Sequence, residues 1–185
     1  MRHDETVLPV AGSLVRVYRA GAGPELVLLH GGGADDARRA WEPVWTALTG
    51  HARVTAPDLP GYGGTPLGTT VPTIAGYSAW LAAFLDSCAH GPAGIAGLSL
   101  GGRIALRAAL TMPDRVTRLA LCGVSPRTLA RAAFHAGPGT FARAFTAGPP
   151  PRLGCPVLLL FGGCGARVRP ADACVAQKLV TFLTT

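Results

Sequence analysis

Gly97-Leu98-Ser99-Leu100-Gly101-Gly102 is the stretch on which the reading of this chain turns. It follows Gly94-Ile95-Ala96-Gly97, a strand that is weak by propensity, and it opens a helical pattern that runs through Met112 and stops at Pro113-Asp114. A serine flanked by glycines at a strand-to-helix junction predicts a sharp turn that lifts Ser99 above the end of a sheet. Glycine is needed on either side because a Cβ there would collide with neighbouring backbone. The hydroxyl then stands at a helix N-terminus, where the backbone dipole favours developing negative charge. By itself G-x-S-x-G is a weak signal, so its surroundings decide.

Upstream, Leu26-Val27-Leu28-Leu29 is apolar at every position, as a parallel strand buried on both faces should be. It runs into His30-Gly31-Gly32-Gly33, whose bare backbone can offer N–H groups to an oxyanion beside the N–H of Leu100. Trp41, Val44, Trp45 and Leu48 then repeat with helical spacing up to Gly50. Val54-Thr55-Ala56 is a short strand feeding the turn-rich Asp58-Leu59-Pro60-Gly61-Tyr62-Gly63, and Ile74, Tyr77, Leu81, Phe84, Leu85 and Cys88 mark another helix. Nearer the start, Thr6 to Val10 and Leu14 to Tyr18 form an antiparallel hairpin about Ala11-Gly12-Ser13.

Downstream, Val116 to Cys122 is a strand, and Val157 to Phe161 is a buried one followed by a helix over Ala171 to Phe182. Between them, residues 124–154 break the rhythm. They are rich in Ala, Arg, Gly and Pro, close on Pro149-Pro150-Pro151, and read as a small insertion or lid. Alternating strands and helices predict an α/β fold with a mostly parallel sheet and helices on both faces. At 185 residues the chain is expected to form one domain.

Composition narrows the function. With 49% apolar and 15% charged residues the chain can bury a core. No apolar run approaches the roughly 18 residues of a membrane span, and Met1 to Thr6 has no apolar leader, so a cytoplasmic, non-membrane protein is expected. Of the 17 basic residues behind the net charge of +7, Lys178 alone is Lys, which leaves one Schiff-base candidate and no phosphate loop around it. The arginines are scattered among Ala, Gly and Pro without a basic run or interleaved aromatics, so no nucleic-acid partner is expected. The 5 cysteines show neither C-x-x-C nor zinc spacing, which argues against metal and disulfide frameworks. Cys88 and Cys122 read as small core residues.

Taken in order, H-G-G, D-x-P-G-x-G, G-x-S-x-G-G and P-V-L-L-L-x-G over roughly residues 7 to 165 resemble the α/β-hydrolase superfamily, in particular its small esterases and enol-lactonases. The resemblance implies Ser99 as nucleophile, an oxyanion hole from Leu100 with Gly31 or Gly32, a structural His30, and an Asp58 that orders its own loop. It also implies a small ester or lactone as substrate, an acyl-enzyme intermediate, and no metal or cofactor.

The departures matter as much. A serine hydroxyl is a poor nucleophile without a histidine to take its proton and a carboxylate to fix that histidine's tautomer. Where the family places its acid, just past the strand at 157–161, this chain has Gly162-Gly163-Cys164-Gly165. After the preceding strand it has Gly123-Val124-Ser125, and no histidine follows His135. His3 is terminal, His51 begins a strand at the far edge, and His90 precedes the Ser99 strand at the wrong end. His135 would have to swing over from a mobile lid, which holds geometry badly, and Asp172 reads as an exposed helix charge.

The expectation is therefore a serine hydrolase that has lost its last strand, helix and triad partners and is weak or inactive. The alternative is a non-catalytic hydrolase-fold module binding a small ligand or partner. A missing sheet edge favours self-association. The acid-poor, Cys- and Arg-bearing tail after Gly163 also fits a truncated or frameshifted gene.

Overall fold

The computed structural model describes residues 3–88, 91–124, 153, 155–160 and 173–184. Seven strands among them share one sheet: β1 (Asp4–Val10), β2 (Ser13–Ala20), β3 (Glu25–Leu29), β4 (Arg53–Pro57), β5 (Ala93–Leu98), β6 (Val116–Cys122) and β7 (Val157–Leu160). Their order is β1-β2-β4-β3-β5-β6-β7. The β1–β2 hairpin pairs antiparallel and β2 is antiparallel to β4, while every pairing from β4 to β7 is parallel. The helices are α1 (Ala37–Thr49), α2 (Ile74–Ser87), α3 (Leu100–Thr111) and α4 (Ala173–Thr184), with one turn of 3-10 helix at Pro113–Arg115.

Strand alternation sorts the core into two layers. Val27, Leu29, Ile95, Leu119 and Leu121 face α2 and α3, meeting Leu81, Phe84, Leu85, Ile104 and Ala108. Leu26, Leu28, Ala96, Ala120 and Cys122 face the other way, onto Trp41, Val44, Trp45 and Leu48 of α1 and Leu179 and Leu183 of α4. Both parities of β3 are buried, which is why it reads apolar throughout. Each fully buried large side chain contributes about 1.5–3 kcal/mol relative to exposure.

The chain leaves β3 for α1 on one face, whereas β5 leads to α3 on the other. Adjacent parallel strands whose connections part to opposite faces open a crevice at their carboxyl ends, the usual place for a ligand in open α/β sheets. His30 to Gly33 and Ser99 lie at those two strand ends.

Several boundaries differ from the sequence reading. Helix α1, whose start the periodic positions left open, begins at Ala37, where its first turn is capped twice. Asp36 accepts from the Arg39 amide at 2.8 Å, and Asp58, far along the chain, accepts from Ala37 at 2.9 Å. Pro43 sits inside this helix on its exposed side. Helix α4, described over Ala173–Thr184, extends two residues past Phe182, where it was expected to end. His51 lies in the turn after α1, and β4, which begins at Arg53, is an interior strand between β2 and β3, not an edge. The insertion expected over 124–154 falls almost wholly outside the described residues; Val124 and Leu153 within it, and Cys155 just after it, join the α2–α3 core layer. Among the described residues no helix is long and apolar enough to cross a membrane.

Candidate active site

Ser99 has φ 50° and ψ −104°, and apart from Ala11 it is the one non-glycine at positive φ among the described residues. A serine held there is strained, and surrounding backbone bonds hold it in place. Its amide donates to the Cys122 carbonyl at 2.8 Å, its carbonyl accepts from Arg103 at 3.1 Å, and the Gly101 amide donates to the His30 carbonyl at 3.1 Å. The flanking glycines are demanded by space. A Cβ on Gly97 would run into the backbone of Gly101 and Gly102, and one on Gly101 would run into the carbonyls of Leu29 and His30. Strand β5, helix α3 and the end of β3 are thus pressed together at backbone distance.

Serine at an N-cap usually spends its hydroxyl on a helix amide. Ser99 makes no side-chain cap bond and is exposed, so its oxygen is available at the crevice. Leu100 opens α3, and the first amides of a helix have no partner within it. Across the crevice, a Cβ on Gly32 would stand 3.6 Å from the Leu100 side chain and 3.6 Å from the Tyr62 hydroxyl, and one on Gly31 would stand 3.7 Å from Leu98. The structure therefore brings Gly31 and Gly32 alongside the residues on either side of Ser99.

His30 is fully buried with both ring nitrogens engaged. Nε2 accepts from the Leu59 amide at 2.9 Å, so the proton resides on Nδ1, which donates to the Gly31 carbonyl at 2.7 Å. Burial pushes its pKa below the ordinary imidazole value and outweighs the opposing pull of the Gly31 carbonyl and of Asp58, Asp35 and Asp36. A neutral imidazole with no free nitrogen ties the loop after β3 to the loop after β4 and cannot serve Ser99 as a base.

Asp58 is equally spent. Oδ1 accepts from Ala37, while Oδ2 accepts from the Gly64 amide at 2.7 Å and pairs with the Arg16 guanidinium at 2.6 Å. Its reach exceeds the loop-ordering expected of it, because it also ties α1 and β2 to that loop. The bond to Arg16 had no signal in the sequence, since the two are 42 residues apart.

His3 packs edge-on against Tyr18 and Trp45. His3 and His51 both precede their strands, at the sheet end opposite Ser99. Trp41 and Trp80 lie in the two core layers rather than at the crevice. His90, His135, Gly165 and Asp172 lie outside the described residues. Sequence reading missed Tyr62 and Asp35, both of which line the Gly31–Gly32 loop; the Tyr within P-G-Y-G was the available hint for the first.

A family model described as "Alpha/beta hydrolase family" matches residues 26–183. The pimeloyl-[acyl-carrier protein] methyl ester esterase of Aeromonas hydrophila is 40% identical over 118 residues, covering 63% of this chain and 44% of that protein. The 2-hydroxy-6-oxo-2,4-heptadienoate hydrolase of Pseudomonas putida is 36% identical over 118 residues, covering 62% and 42%. Among solved structures, a serine hydrolase involved in carbazole degradation (CarC) superposes with a TM-score of 0.64 at 29% identity, over 67% of this chain and 49% of that one. The match thus spans less than half the length of these relatives.

Proposed function

Because the chain belongs to the alpha/beta hydrolase family, we propose that Ser99 is the nucleophile of an esterase-type site for a small carboxylic ester or lactone. The observation that carries this reading is an exposed serine hydroxyl at positive φ on the β5–α3 turn, left unspent by the helix it caps. In the proposed cycle the Ser99 oxygen attacks the carbonyl carbon. The oxyanion so formed is held by the amides of Leu100 and of Gly31 or Gly32, and the alcohol departs with a proton. Water then attacks the acyl-enzyme, the bond to the Ser99 oxygen breaks, the acyl group leaves as the carboxylic acid and the serine regains its proton. No step calls for a metal or cofactor. The relative named as a methyl ester esterase supports an ester as the bond cleaved.

The weak point is the proton acceptor. The described histidines are bonded at both nitrogens, as His30 is, or placed at the other end of the sheet, as His3 and His51 are. An oxyanion hole and binding alone leave about 10³ to 10⁴ of a full triad's acceleration over water. With no proton acceptor for Ser99 among the described residues, slow reaction is the expectation. That same placement favours the second reading, a hydrolase-fold module that binds a small ligand without turning it over.

The test is a serine-directed alkyl fluorophosphonate followed by intact mass and peptide mapping. Slow, stoichiometric labelling at Ser99, absent from Ser99→Ala, is expected. Labelling elsewhere, or unchanged in Ser99→Ala, would dispose of the nucleophile assignment. Rapid labelling that survives His135→Ala would reveal a base other than the lid histidine.

A further inference from the structure

Three carboxylates surround the loop after β3, and two of them are committed. Asp36 caps α1 through the Arg39 amide, and Asp58 is held by Ala37, Gly64 and Arg16. Asp35 differs. Among the described residues its half-buried carboxylate takes part in no hydrogen bond or ion pair, yet it lies against the loop itself: a Cβ on Gly31 would stand 2.8 Å from its Oδ2. On that same side of Gly31 is Leu98, the residue before Ser99. The carboxylate is also close enough to act electrostatically on the His30 ring. Arg39 donates to the neighbouring Ala34 carbonyl at 3.2 Å and forms no ion pair with Asp35.

A negative charge with no ion-pair partner among the described residues, beside the amides proposed as an oxyanion hole, has two consequences. It opposes the developing oxyanion, and it attracts any positive charge on the molecule that fills the crevice. We propose that Asp35 sets the charge preference of the Ser99 site, selecting esters that carry a cationic group near the carbonyl over neutral ones and rejecting anionic ones. The inference rests on Ser99 being the nucleophile. It assigns Asp35 a role in specificity and no part in bond making. Arg39 tempers the field without cancelling it, since it sits on the exposed face of α1 in higher dielectric.

The test compares two fluorophosphonates of equal shape, one bearing a trimethylammonium group and the other a tert-butyl group, on the whole chain at pH 9. In each reaction the Ser99 oxygen bonds to phosphorus, fluoride leaves, and the serine proton passes to solvent base. At low ionic strength the cationic probe should label Ser99 about threefold to tenfold faster. The ratio should fall toward one as salt is raised to about 0.5 M, where the screening length is only a few ångströms. Asp35→Asn, nearly isosteric, should remove the preference without salt and accelerate the neutral probe, with an unchanged thermal midpoint.

A ratio of one in the parent, or a preference retained in Asp35→Asn, would overturn this inference and leave the Ser99 assignment standing. No adduct at Ser99 with either probe would overturn both. The salt series on the parent needs no variant, so a folding defect in Asp35→Asn cannot shelter the proposal.

Discussion

A buried imidazole between two loops makes His30 a point where proton chemistry and stability meet. Its folded-state pKa lies below the unfolded value near 6.5, chiefly through burial. The unfolded chain therefore takes up a proton that the folded one refuses. The stability this group contributes is whole above about pH 6.5 and declines as pH falls below it, at up to about 1.4 kcal/mol per pH unit, until the folded-state pKa is reached. Urea midpoints between pH 7.5 and 5 should show this slope, and His30→Asn should flatten it while costing about 1–3 kcal/mol at pH 7 through the orphaned Leu59 amide. Equal slopes in the two proteins would refute the assignment. His30 was legible as a structural residue only through the resemblance of its motif; its partner Leu59, 29 positions away, was not.

At the scale of elements, the β5–α3 crossing does most to position Ser99. Gly97 and Gly101 let two backbones touch, so Gly97→Ala must prise the helix from the strand or shift both. A loss of about 3 kcal/mol or more is expected in chemical denaturation, with labelling at Ser99 abolished in any protein that still folds. A cost under about 1 kcal/mol would mean the crossing is looser than described. The same closeness explains why β5 was hard to read. Gly94, Ala96 and Gly97 are poor strand formers, and the strand exists because β3 and β6 pair with it on both sides. Conversely, the start of α1 had no complete signal in its own segment, because part of its cap, Asp58, comes from another element.

For the molecule as a whole, the sheet separates two apolar layers that hold their cysteines out of reach. Cys88 and Cys155 are buried in the α2–α3 layer and Cys122 in the α1–α4 layer, and burial pushes the Cys122 thiol up to about 12. These three should resist iodoacetamide in the native protein at pH 8 and become reactive over one urea transition if the layers open together. Mapping the modified peptides by mass spectrometry would show it. Alkylation of Cys122 before the transition would mean that the α1–α4 layer opens separately.

What the sequence determined alone was local and periodic. Apolar runs and glycine placement specified the alternating α/β order, the turn carrying Ser99 and the core role of Cys88 and Cys122, because strand and helix periods and steric demands at glycine act over a few residues. Tertiary structure decided what depends on groups far apart in the chain. It placed Gly32 beside Leu100 and Gly31 beside Leu98, engaged both nitrogens of His30, spent Asp58 on α1 and β2, and left Asp35 beside Gly31 without an ion pair among the described residues. Hydrogen bonds and ion pairs between distant segments have no period to betray them, and they form only once the sheet has brought those segments together.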